Sequence, residues 1–303
     1  MGFTYWLGGG LDRFEEFLKG FQGGRIVVLS PGGNHGDTLI HMGLAKKLGE
    51  LDIEFDFISL ETLYRRSLGV ALKYVLGLAL WELGAPRRIR VLQVPEEVDL
   101  VLLEGGGYMC DYWYGAWFLN QAKPRGPTPI AIGPQSYHFK KTEFPQHLTD
   151  SREYHLFCRE KPSLHHLTQL GLPPNTSVYL SPDTALYLEK EDLEPYIEPL
   201  EGGYDLFAFR KDRESLLSAQ QRQTLVDGSD NPLVADISKR GSLTEFITTI
   251  FHAHHVFTDR LHVAIAAKVL GRPATLFPNR YHKNRGVWEY SLAGHVEFSE
   301  PPQ

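Results

Sequence analysis

The segment TDRLH at residues 258–262 places an arginine and a histidine directly before a run of Ala, Val, Ile and Leu that predicts a buried helix. Thr258 or Asp259 is expected to cap this helix, so Arg260 and His262 fall in its first turn. The helix dipole disfavours a cation there by a few tenths to about 1 kcal/mol. A bound anion reverses that sign, because it interacts favourably with the dipole, the free N–H groups and both side chains. The pattern therefore predicts an anion site.

Other cations follow apolar runs that predict strands. Arg159 ends one such run and could bind a carboxylate or phosphate with two parallel hydrogen bonds; an ion pair with Glu160 or another neighbour is an equally weighted alternative. A second cationic group follows a later strand and contains Arg280, His282, Lys283 and Arg285. An anion with two charged groups would need several cations of this kind.

Three strand ends in the first half of the chain lead into loops rich in glycine and polar residues, at 32–37, 104–111 and 133–138. Their candidate side chains are Asn34, Asp37, Tyr108, Asp111, Gln135, Ser136 and His138. The glycine spacing matches neither the dinucleotide fingerprint nor the phosphate loop that ends in Gly-Lys-Ser/Thr. Because ligands bind beyond the carboxyl ends of parallel strands, the three loops predict one crevice. The glycine turns and the aromatic cluster after Tyr108 also have a purely structural interpretation.

Short apolar runs alternate with helical patterns from residue 25 onward, which indicates parallel βαβ units. The predicted strands are 25–30, 53–58, 89–94, 99–104, 129–133, 154–159, 177–180, 204–210, 232–237, 254–258, 273–277 and 295–298. An acidic segment with Pro and Gly at residues 181–203 is interpreted as a linker. The prediction is an α/β protein of two Rossmann-like doubly wound domains, residues 1–186 and 187–303, with a cleft between them.

The composition excludes a general nucleic-acid binder, because 31 Lys+Arg against 37 Asp+Glu give a net charge of −6. The chain has only two cysteines, Cys110 and Cys158, which fits a reducing cytosol rather than a disulfide framework. Charged residues from position 12 onward interrupt any apolar core of a signal peptide, so we expect a cytoplasmic protein without one.

Four histidines at positions 252, 254, 255 and 262 are close in sequence. They straddle a helix end, a strand and a second helix, and alternate strand residues face opposite sides of a sheet, so they cannot readily converge on one ion. No metal site is expected.

The longest apolar stretch, LGVALKYVLGLALWELG at residues 68–84, is too short to span a membrane and contains Lys73 and Glu82. A buried helix is the favoured interpretation. The alternative is a helix that lies in the plane of the inner membrane face and contacts anionic lipid, with Arg87, Arg88 and Arg90 at the headgroups.

Several of these stretches together resemble the polysaccharide pyruvyl transferase family. The matching stretches are GGNHGDTLI, EGGG, IGPQS, the arginine-to-glycine run at 159–171, SPDTAL at 181–186, and TDRLHVAIAAKVLGRPATLF with the downstream His-Lys-Asn. The resemblance covers residues 25 to about 290. It implies a fold similar to the GT-B glycosyltransferases, with an acceptor-side first domain and a donor-side second domain.

The resemblance also implies phosphoenolpyruvate as donor and a sugar of an exopolysaccharide or capsule precursor as acceptor, joined as a ketal with release of phosphate and without a cofactor. By the family pattern, Arg159, Arg260 and His262 belong to the donor site with the backbone of Leu261. Lys283 and Arg285 would add to the cations that the carboxylate and phosphate need. The acceptor side is assigned to Asn34, Tyr108, Gln135 and Ser136.

Ketal formation requires a proton donor and a base. His262 or His138 would serve as the acid, and Asp37 or Asp111 as the base. Two alternatives stay open: a GT-B-type glycosyltransferase with a nucleotide-sugar donor, and a sugar- or phosphate-binding module, because fold does not fix function. The identity of the acceptor sugar, its linkage to lipid and the oligomeric state are also open.

Overall fold

A computed structural model describes residues 12–84, 89–140, 143–200, 203–239 and 241–302. Most of the N-terminal residues on which the signal-peptide prediction depends lie outside these described residues. Arg87 and Arg88 also lie outside them. The strands are β1 Ile26–Ser30, β2 Phe55–Ser59, β3 Leu100–Leu103, β4 Ile130–Gln135, β5 Tyr154–Cys158, β6 Thr176–Leu180, β7 Tyr204–Ala208, β8 Pro232–Val234, β9 Ala253–Thr258, β10 Ala274–Leu276 and β11 Glu297–Phe298. The α-helices are α1 Arg13–Lys19, α2 His35–Glu50, α3 Leu60–Arg66, α4 Leu68–Glu82, α5 Gly115–Ala122, α6 Lys161–Gln169, α7 Lys190–Leu193, α8 Ala219–Asp227, α9 Leu243–Phe251, α10 Leu261–Val269 and α11 Lys283–Val287.

The strands form two parallel sheets, each with its own switch of strand order. The first sheet has the order β2-β1-β3-β4-β5-β6, and the second has the order β11-β10-β9-β7-β8. The order reverses between β1 and β3 in the first sheet and between β7 and β9 in the second, and a doubly wound sheet binds ligands at this point. The predicted pair of Rossmann-like, doubly wound sheets in a GT-B-like arrangement is confirmed.

The apolar runs predicted as strands form strands because both faces of each sheet are covered, so branched and aromatic side chains are buried at consecutive positions. All five residues of β1 and all four of β3 are buried. The strand predicted at 89–94 is wrong. Val91 and Leu92 are buried, but this segment is irregular, and the backbone N–H of Val91 donates to the side chain of Gln121 at 2.9 Å rather than to a neighbouring strand.

The two sheets share an apolar core through α2. Leu39 and Ile40 of this helix pack in the same cluster as Leu261 and Ala264 of α10. The approach is close at Gly43, where a Cβ would lie 1.9 Å from the carbonyl oxygen of Thr184. That carbonyl belongs to the 3-10 turn Thr184–Tyr187, in which the predicted domain boundary at 186/187 falls. Packing of this kind leaves no space for a side chain between α2 and the turn.

The apolar helix α4 is not buried as the favoured interpretation expected. Of its fifteen residues only Gly77 is buried, where it lies against the Trp117 ring. One face of α4 packs on the core of the first sheet through side chains that include Tyr74, Leu78 and Trp81, and the opposite face is exposed. No helix in the described parts of the chain is long and apolar enough to cross a bilayer.

Candidate active site

A cleft of about 830 Å³ opens between the carboxyl ends of the two sheets. It is lined at both points where the strand order reverses. The lining includes the loops after β1 and β3 on the first sheet and after β7 and β9 on the second, with further residues that follow β2, β5, β8 and β10. The contributing residues include Gly33, Asn34, Asp37, Gly107, Tyr108, Arg210, Glu214, Arg260, Leu261 and His262. The crevice that the sequence predicted for the first sheet is therefore half of a larger space.

The cleft is locally cationic although the chain as a whole is acidic. Its lining contains six Lys and Arg residues against three Asp and Glu residues, whereas the whole chain has a net charge of −6. The cations are Arg65, Arg159, Arg210, Lys239, Arg260 and Lys283, and the acids are Asp37, Glu61 and Glu214. A concave surface lined by one sign of charge concentrates ligands of the opposite sign.

The N-terminus of α10 opens onto this cleft without a side-chain cap. The expectation that Thr258 or Asp259 caps the helix is wrong, because Arg260 occupies the N-cap position. The Thr258 hydroxyl accepts from the Arg260 N–H at 2.9 Å, and the Asp259 carboxylate accepts from the Arg210 N–H at 2.7 Å. Thr258 thus bonds within its own segment and Asp259 bonds the loop after β7, so no side chain among the described residues caps the N–H groups in the first turn of α10.

Arg260 is held in place by acidic side chains of the second sheet's loops. Its guanidinium lies 2.6 Å from the Asp236 carboxylate and 4.0 Å from that of Asp212, and the residue is 5% exposed. This pairing offsets the repulsion between the cation and the helix dipole. Arg260 therefore reaches the cleft in a fixed geometry, next to the uncapped N–H groups of α10.

Arg159, Asp183 and His262 form one buried group at the centre of the cleft. The Asp183 Oδ2 lies 2.6 Å from the Arg159 Nη1 and 3.3 Å from the His262 Nε2. Burial alone would raise the pKa of Asp183, but His262 and Arg159 together hold that pKa well below its ordinary value. The Nε of Arg159 donates to the Ser136 hydroxyl at 2.9 Å. A fixed anion thus orients both an arginine and a histidine towards the cleft.

Asn34 and Asp37 form a capping box at the N-terminus of α2. The helix begins at His35, earlier than the predicted start near Asp37, because the side-chain Oδ1 of Asn34 accepts from the Gly36 N–H at 2.8 Å while the Asp37 carboxylate accepts from the Asn34 N–H at 2.7 Å. Burial raises the pKa of Asp37, partly offset by His262. A Cβ at Gly36 would lie 2.5 Å from the His262 Nδ1, so α2 and the His262 ring are in direct contact.

Lys283 lies in a second buried ion-pair group. Its Nζ is 2.5 Å from the Glu214 Oε2, and the Arg210 Nη1 is 2.8 Å from the same oxygen. Burial lowers the pKa of Lys283 to about 8, and Glu214 offsets only part of that shift. Burial would raise the pKa of Glu214, but Lys283 and Arg210 lower it to about 2. The Trp113 indole donates to the other Glu214 oxygen at 3.1 Å.

The two groups meet at Gly107, in the loop after β3. A Cβ there would lie 3.3 Å from the Arg159 Nη2, 3.6 Å from the Tyr281 hydroxyl and 3.7 Å from the Lys283 Cδ. Neither that Nη2 nor that hydroxyl has a hydrogen-bond partner among the described residues, and both are buried. Two unpaired donors beside a lysine are the arrangement that an anionic ligand group would satisfy.

The cleft brings together most, but not all, of the side chains that the sequence singled out. Its lining includes Asn34, Asp37, Tyr108, Arg159, Arg260, Leu261, His262 and Lys283. Gln135 and Ser136 are fully buried behind it, and both polar atoms of the Gln135 side chain lack a partner among the described residues. The Tyr108 hydroxyl donates to the Glu104 carbonyl at 2.6 Å.

Besides Gln135 and Ser136, three further predicted catalytic or donor-binding residues lie outside the lining of this cleft. Arg285 is exposed, pairs with Glu300 and stacks on the Phe298 ring at 4.6 Å. Asp111 is exposed and accepts from the Lys140 N–H at 2.6 Å. His138 stacks on the Tyr281 ring, with centroids 5.1 Å apart. Sequence proximity to a glycine loop or a cationic run did not place them in the cleft.

The sequence reasoning assigned no site role to Asp183, Glu214 or Tyr281. Asp183 had a signal, since it follows β6 in the SPDTAL stretch that carried part of the family resemblance. Glu214 and Tyr281 had no such signal. Glu214 pairs with Lys283, which is 69 residues away in the chain, and Tyr281 lies near Gly107, which belongs to the other sheet. Among the described residues, no group of three or more His, Cys, Asp or Glu side chains is arranged to hold a metal ion.

Comparison with solved structures finds a shared fold. An uncharacterised protein from Klebsiella pneumoniae matches with a TM-score of 0.64 at 22% identity, covering 95% of this chain and 97% of that one. A UDP-GlcNAc 2-epimerase from Methanocaldococcus jannaschii matches with a TM-score of 0.47 at 11% identity, covering 91% and 89%. E. coli heptosyltransferase WaaC with ADP gives 0.45 at 13%, covering 91% and 93%. At these identities the likeness concerns the fold alone.

A search of curated protein sequences gives no significant match. The family comparison is decisive, because the model of the polysaccharide pyruvyl transferase family matches residues 34–281. That range begins at the cap of α2, ends at Tyr281 and includes Arg159, Asp183, Arg260 and His262. It covers well over half of the chain. The chain therefore belongs to the polysaccharide pyruvyl transferase family, and the cleft is that of a transferase family member.

Proposed function

We propose that this protein transfers pyruvate from phosphoenolpyruvate to a sugar of an exopolysaccharide or capsule precursor, forming a ketal and releasing phosphate. The observation that carries the proposal is the uncapped N-terminus of α10, where Arg260, His262 and the unpaired Nη2 of Arg159 face one cleft. A small ligand with two anionic groups would satisfy all of these donors.

The two anionic groups of the donor match two separate sets of donors in the cleft. One set contains Arg260 and the N–H groups of α10, and the other contains Arg159 Nη2, the Tyr281 hydroxyl and Lys283. Each set is buried, so charge-assisted hydrogen bonds there are stronger than at the surface. We assign the carboxylate and the phosphate to these two sets, without choosing which group binds which set.

The reaction requires balanced proton transfer. Protonation of the donor methylene carbon and attack of one sugar hydroxyl on the adjacent carbon give a tetrahedral adduct, and that hydroxyl loses its proton. Departure of phosphate and attack of a second hydroxyl close the ketal, and the second hydroxyl proton leaves with the phosphate. The protein must therefore supply one proton to carbon and accept one proton from oxygen.

His262 and Asp37 are the proposed acid and base. Both line the cleft, whereas the other candidates, His138 and Asp111, do not. The His262 ring lies against the N-terminus of α2, and Asp183 orients it from the opposite direction. Burial raises the pKa of Asp37, which brings this carboxylate closer to the range in which a general base works near neutral pH.

The acceptor sugar is assigned to the first-sheet side of the cleft. Tyr74, Tyr108, Trp113 and Trp117 line that side together with Asn34. Aromatic faces pack against the apolar faces of sugar rings, and a polar side chain between them can bind hydroxyls. Gln135 and Ser136, also predicted on the acceptor side, are buried behind this wall and would act by positioning Arg159 and its neighbours.

Phosphate release tests the proposal. The protein is incubated with phosphoenolpyruvate and a panel of sugars or sugar diphosphates, and free phosphate is measured with the ketal product. We expect phosphate release that depends on acceptor. His262→Gln should lower kcat by roughly a hundredfold or more and change the donor dissociation constant far less, as expected for lost proton transfer.

The result that contradicts the proposal is equally specific. Release of a nucleotide from a sugar-nucleotide donor, with no phosphate released from phosphoenolpyruvate by any acceptor, would identify a glycosyltransferase instead. Tight binding of sugar or phosphate without turnover of either donor would identify a binding module.

A further inference from the structure

Helix α4 presents a continuous apolar face to solvent. Leu68 is 91% exposed, Leu72 69%, Val75 62%, Leu76 48% and Leu83 79%. These positions recur at helical spacing, so they lie on one face about 100° wide. Single exposed leucines are ordinary on a protein surface, but four leucines and a valine on one helix and its C-cap form a patch of the kind that marks an interaction surface.

The exposed face is not a result of loose packing of the helix. Val70, Tyr74, Leu78 and Trp81 on the other side of α4 pack against the core of the first sheet, and the Tyr64 and Tyr74 rings stack with centroids 4.8 Å apart. The Ser67 hydroxyl caps the helix by accepting from the Val70 N–H. The helix is therefore fixed on the protein, and its outer face is uncovered by any described residue.

Cations flank this apolar helix along the chain. Arg66 precedes the helix, Lys73 lies on it, and Arg90 follows it. All three side chains are exposed, and Arg90 also donates to the Lys123 carbonyl at 2.5 Å. Neither Arg66 nor Lys73 has an ion-pair partner among the described residues, so both are available to an external anion. Glu82 is the one acid on α4, and its charge contributes, after burial, to raising the pKa of Tyr114, which lines the cleft. An apolar face with basic flanks on a protein of net charge −6 is a local exception.

We propose that this face of α4 docks the protein on an anionic lipid bilayer, with its leucines in the acyl boundary and Arg66, Lys73 and Arg90 at the headgroups. The charge pattern selects this occupant over a second copy of the chain. A symmetric dimer through α4 would bring the two sets of cations towards each other, whereas anionic headgroups neutralise them.

The docked orientation would hold the mouth of the cleft at the membrane. Arg65 and Tyr74, from α3 and α4, line the cleft together with Trp113 and Tyr114, whose rings are each 43% exposed. Tryptophan and tyrosine at such a border favour the interfacial zone of a bilayer. If the proposed function holds, and this step rests on it, the acceptor sugar would be presented on a lipid carrier.

Vesicle binding tests the docking surface without donor or acceptor, so its outcome does not depend on the proposed function. The full chain is sedimented with vesicles of phosphatidylglycerol and phosphatidylcholine, and with phosphatidylcholine vesicles alone. We expect binding that is stronger with phosphatidylglycerol and weakens as salt increases. Leu72→Glu with Leu76→Glu should lower the partition coefficient at least about tenfold. Arg66→Glu with Lys73→Glu should abolish the preference for phosphatidylglycerol.

The matched control places the same substitutions on two leucines elsewhere. Leu200→Glu with Leu216→Glu changes side chains that are each 46% exposed, close to the 48% of Leu76. This variant should bind vesicles like the unaltered chain, and thermal unfolding checks that all variants fold. The proposal is overturned if the unaltered chain binds neither vesicle, if the control loses binding equally, or if light scattering shows a dimer that the α4 substitutions dissociate.

Discussion

Two helices open onto the same cleft from opposite sheets, and their N-termini are built in opposite ways. At the start of α2, Asn34 and Asp37 form a capping box, and the Ser238 carbonyl accepts from the His35 N–H, so its first N–H groups have partners within the protein. At the start of α10 no side chain does so, and Arg260 and His262 stand at the N-cap and in the first turn. Each helix follows a strand at the point where its sheet reverses order, so the fold gives both ends the same opportunity to bind an anion.

Under the proposed function, the difference indicates how one architecture would serve two ligands. A capped helix end does not require a ligand, so the α2 side suits a neutral sugar bound by rings and hydroxyls. An uncapped end with cations held by Asp236 and Asp183 is incomplete without an anion. The division into acceptor and donor sides can thus be tested at the two helix ends separately.

The largest effect is expected at the α10 end. Arg260→Ala should lower kcat/KM for phosphoenolpyruvate by roughly a hundredfold to a thousandfold, because the substitution removes a buried, pre-oriented cation that would contact the donor. Phosphate release and calorimetric donor binding measure the loss. Arg272→Ala, at the opposite end of the same helix, is the control and should change neither. Unchanged donor affinity in a folded Arg260→Ala protein would refute the anion site.

The next effect concerns pH. Because the pKa of Lys283 is lowered to about 8, this side chain is charged below that pH and neutral above it. Donor affinity should therefore fall, by about tenfold, as the pH rises through about 8. The pH dependence of the donor dissociation constant checks this. Lys283→Arg should remove the transition, since arginine stays charged. A transition at the same pH in that variant would assign it to another group.

The smallest effect is expected at the α2 end. Asn34→Ala should lower the free energy of unfolding by about 1 kcal/mol, the usual cost of a lost N-cap, and leave donor affinity within about twofold. Urea unfolding and donor titration give the two values. Asn34→Asp, which keeps a capping oxygen, should retain the stability. If Asn34→Ala instead weakened donor binding as much as Arg260→Ala, the two helix ends would not differ in role.

The fold could be predicted from the sequence wherever both faces of an element are covered. Strands such as β1 and β3 carry apolar residues throughout, and this pattern has few other interpretations. The prediction failed where an apolar run is not an element covered on both faces. Residues 89–94 look like a strand but are irregular, and α4 looks like a core helix but packs by one face only. Hydrophobicity identifies apolar surface without saying what covers it.

The cleft was predictable in part. Arg159 and Arg260 could be singled out from the sequence. Arg159 ends a predicted strand and Arg260 begins a predicted helix, and an unpaired cation is unexpected at such a position. Their partners were not found, because Asp183 and Asp236 lie 24 residues from them and pair only after folding. Asp111 and Arg285 show the converse, since they neighbour candidate loops in sequence but bond to Lys140 and Glu300 at the surface.

The glycine at position 43 lets α2 pack directly against the turn that connects the two sheets. With a Cβ only 1.9 Å from the Thr184 carbonyl, even a methyl group would act as a wedge between α2 and the turn that connects the sheets. Because the His262 ring also lies against α2 at Gly36, the same wedge would move the histidine away from Arg159. Substitutions meant to admit a bulkier acceptor should therefore begin at the aromatic side chains that line the first-sheet side of the cleft, since separating α2 from the turn would displace residues of the proposed donor site.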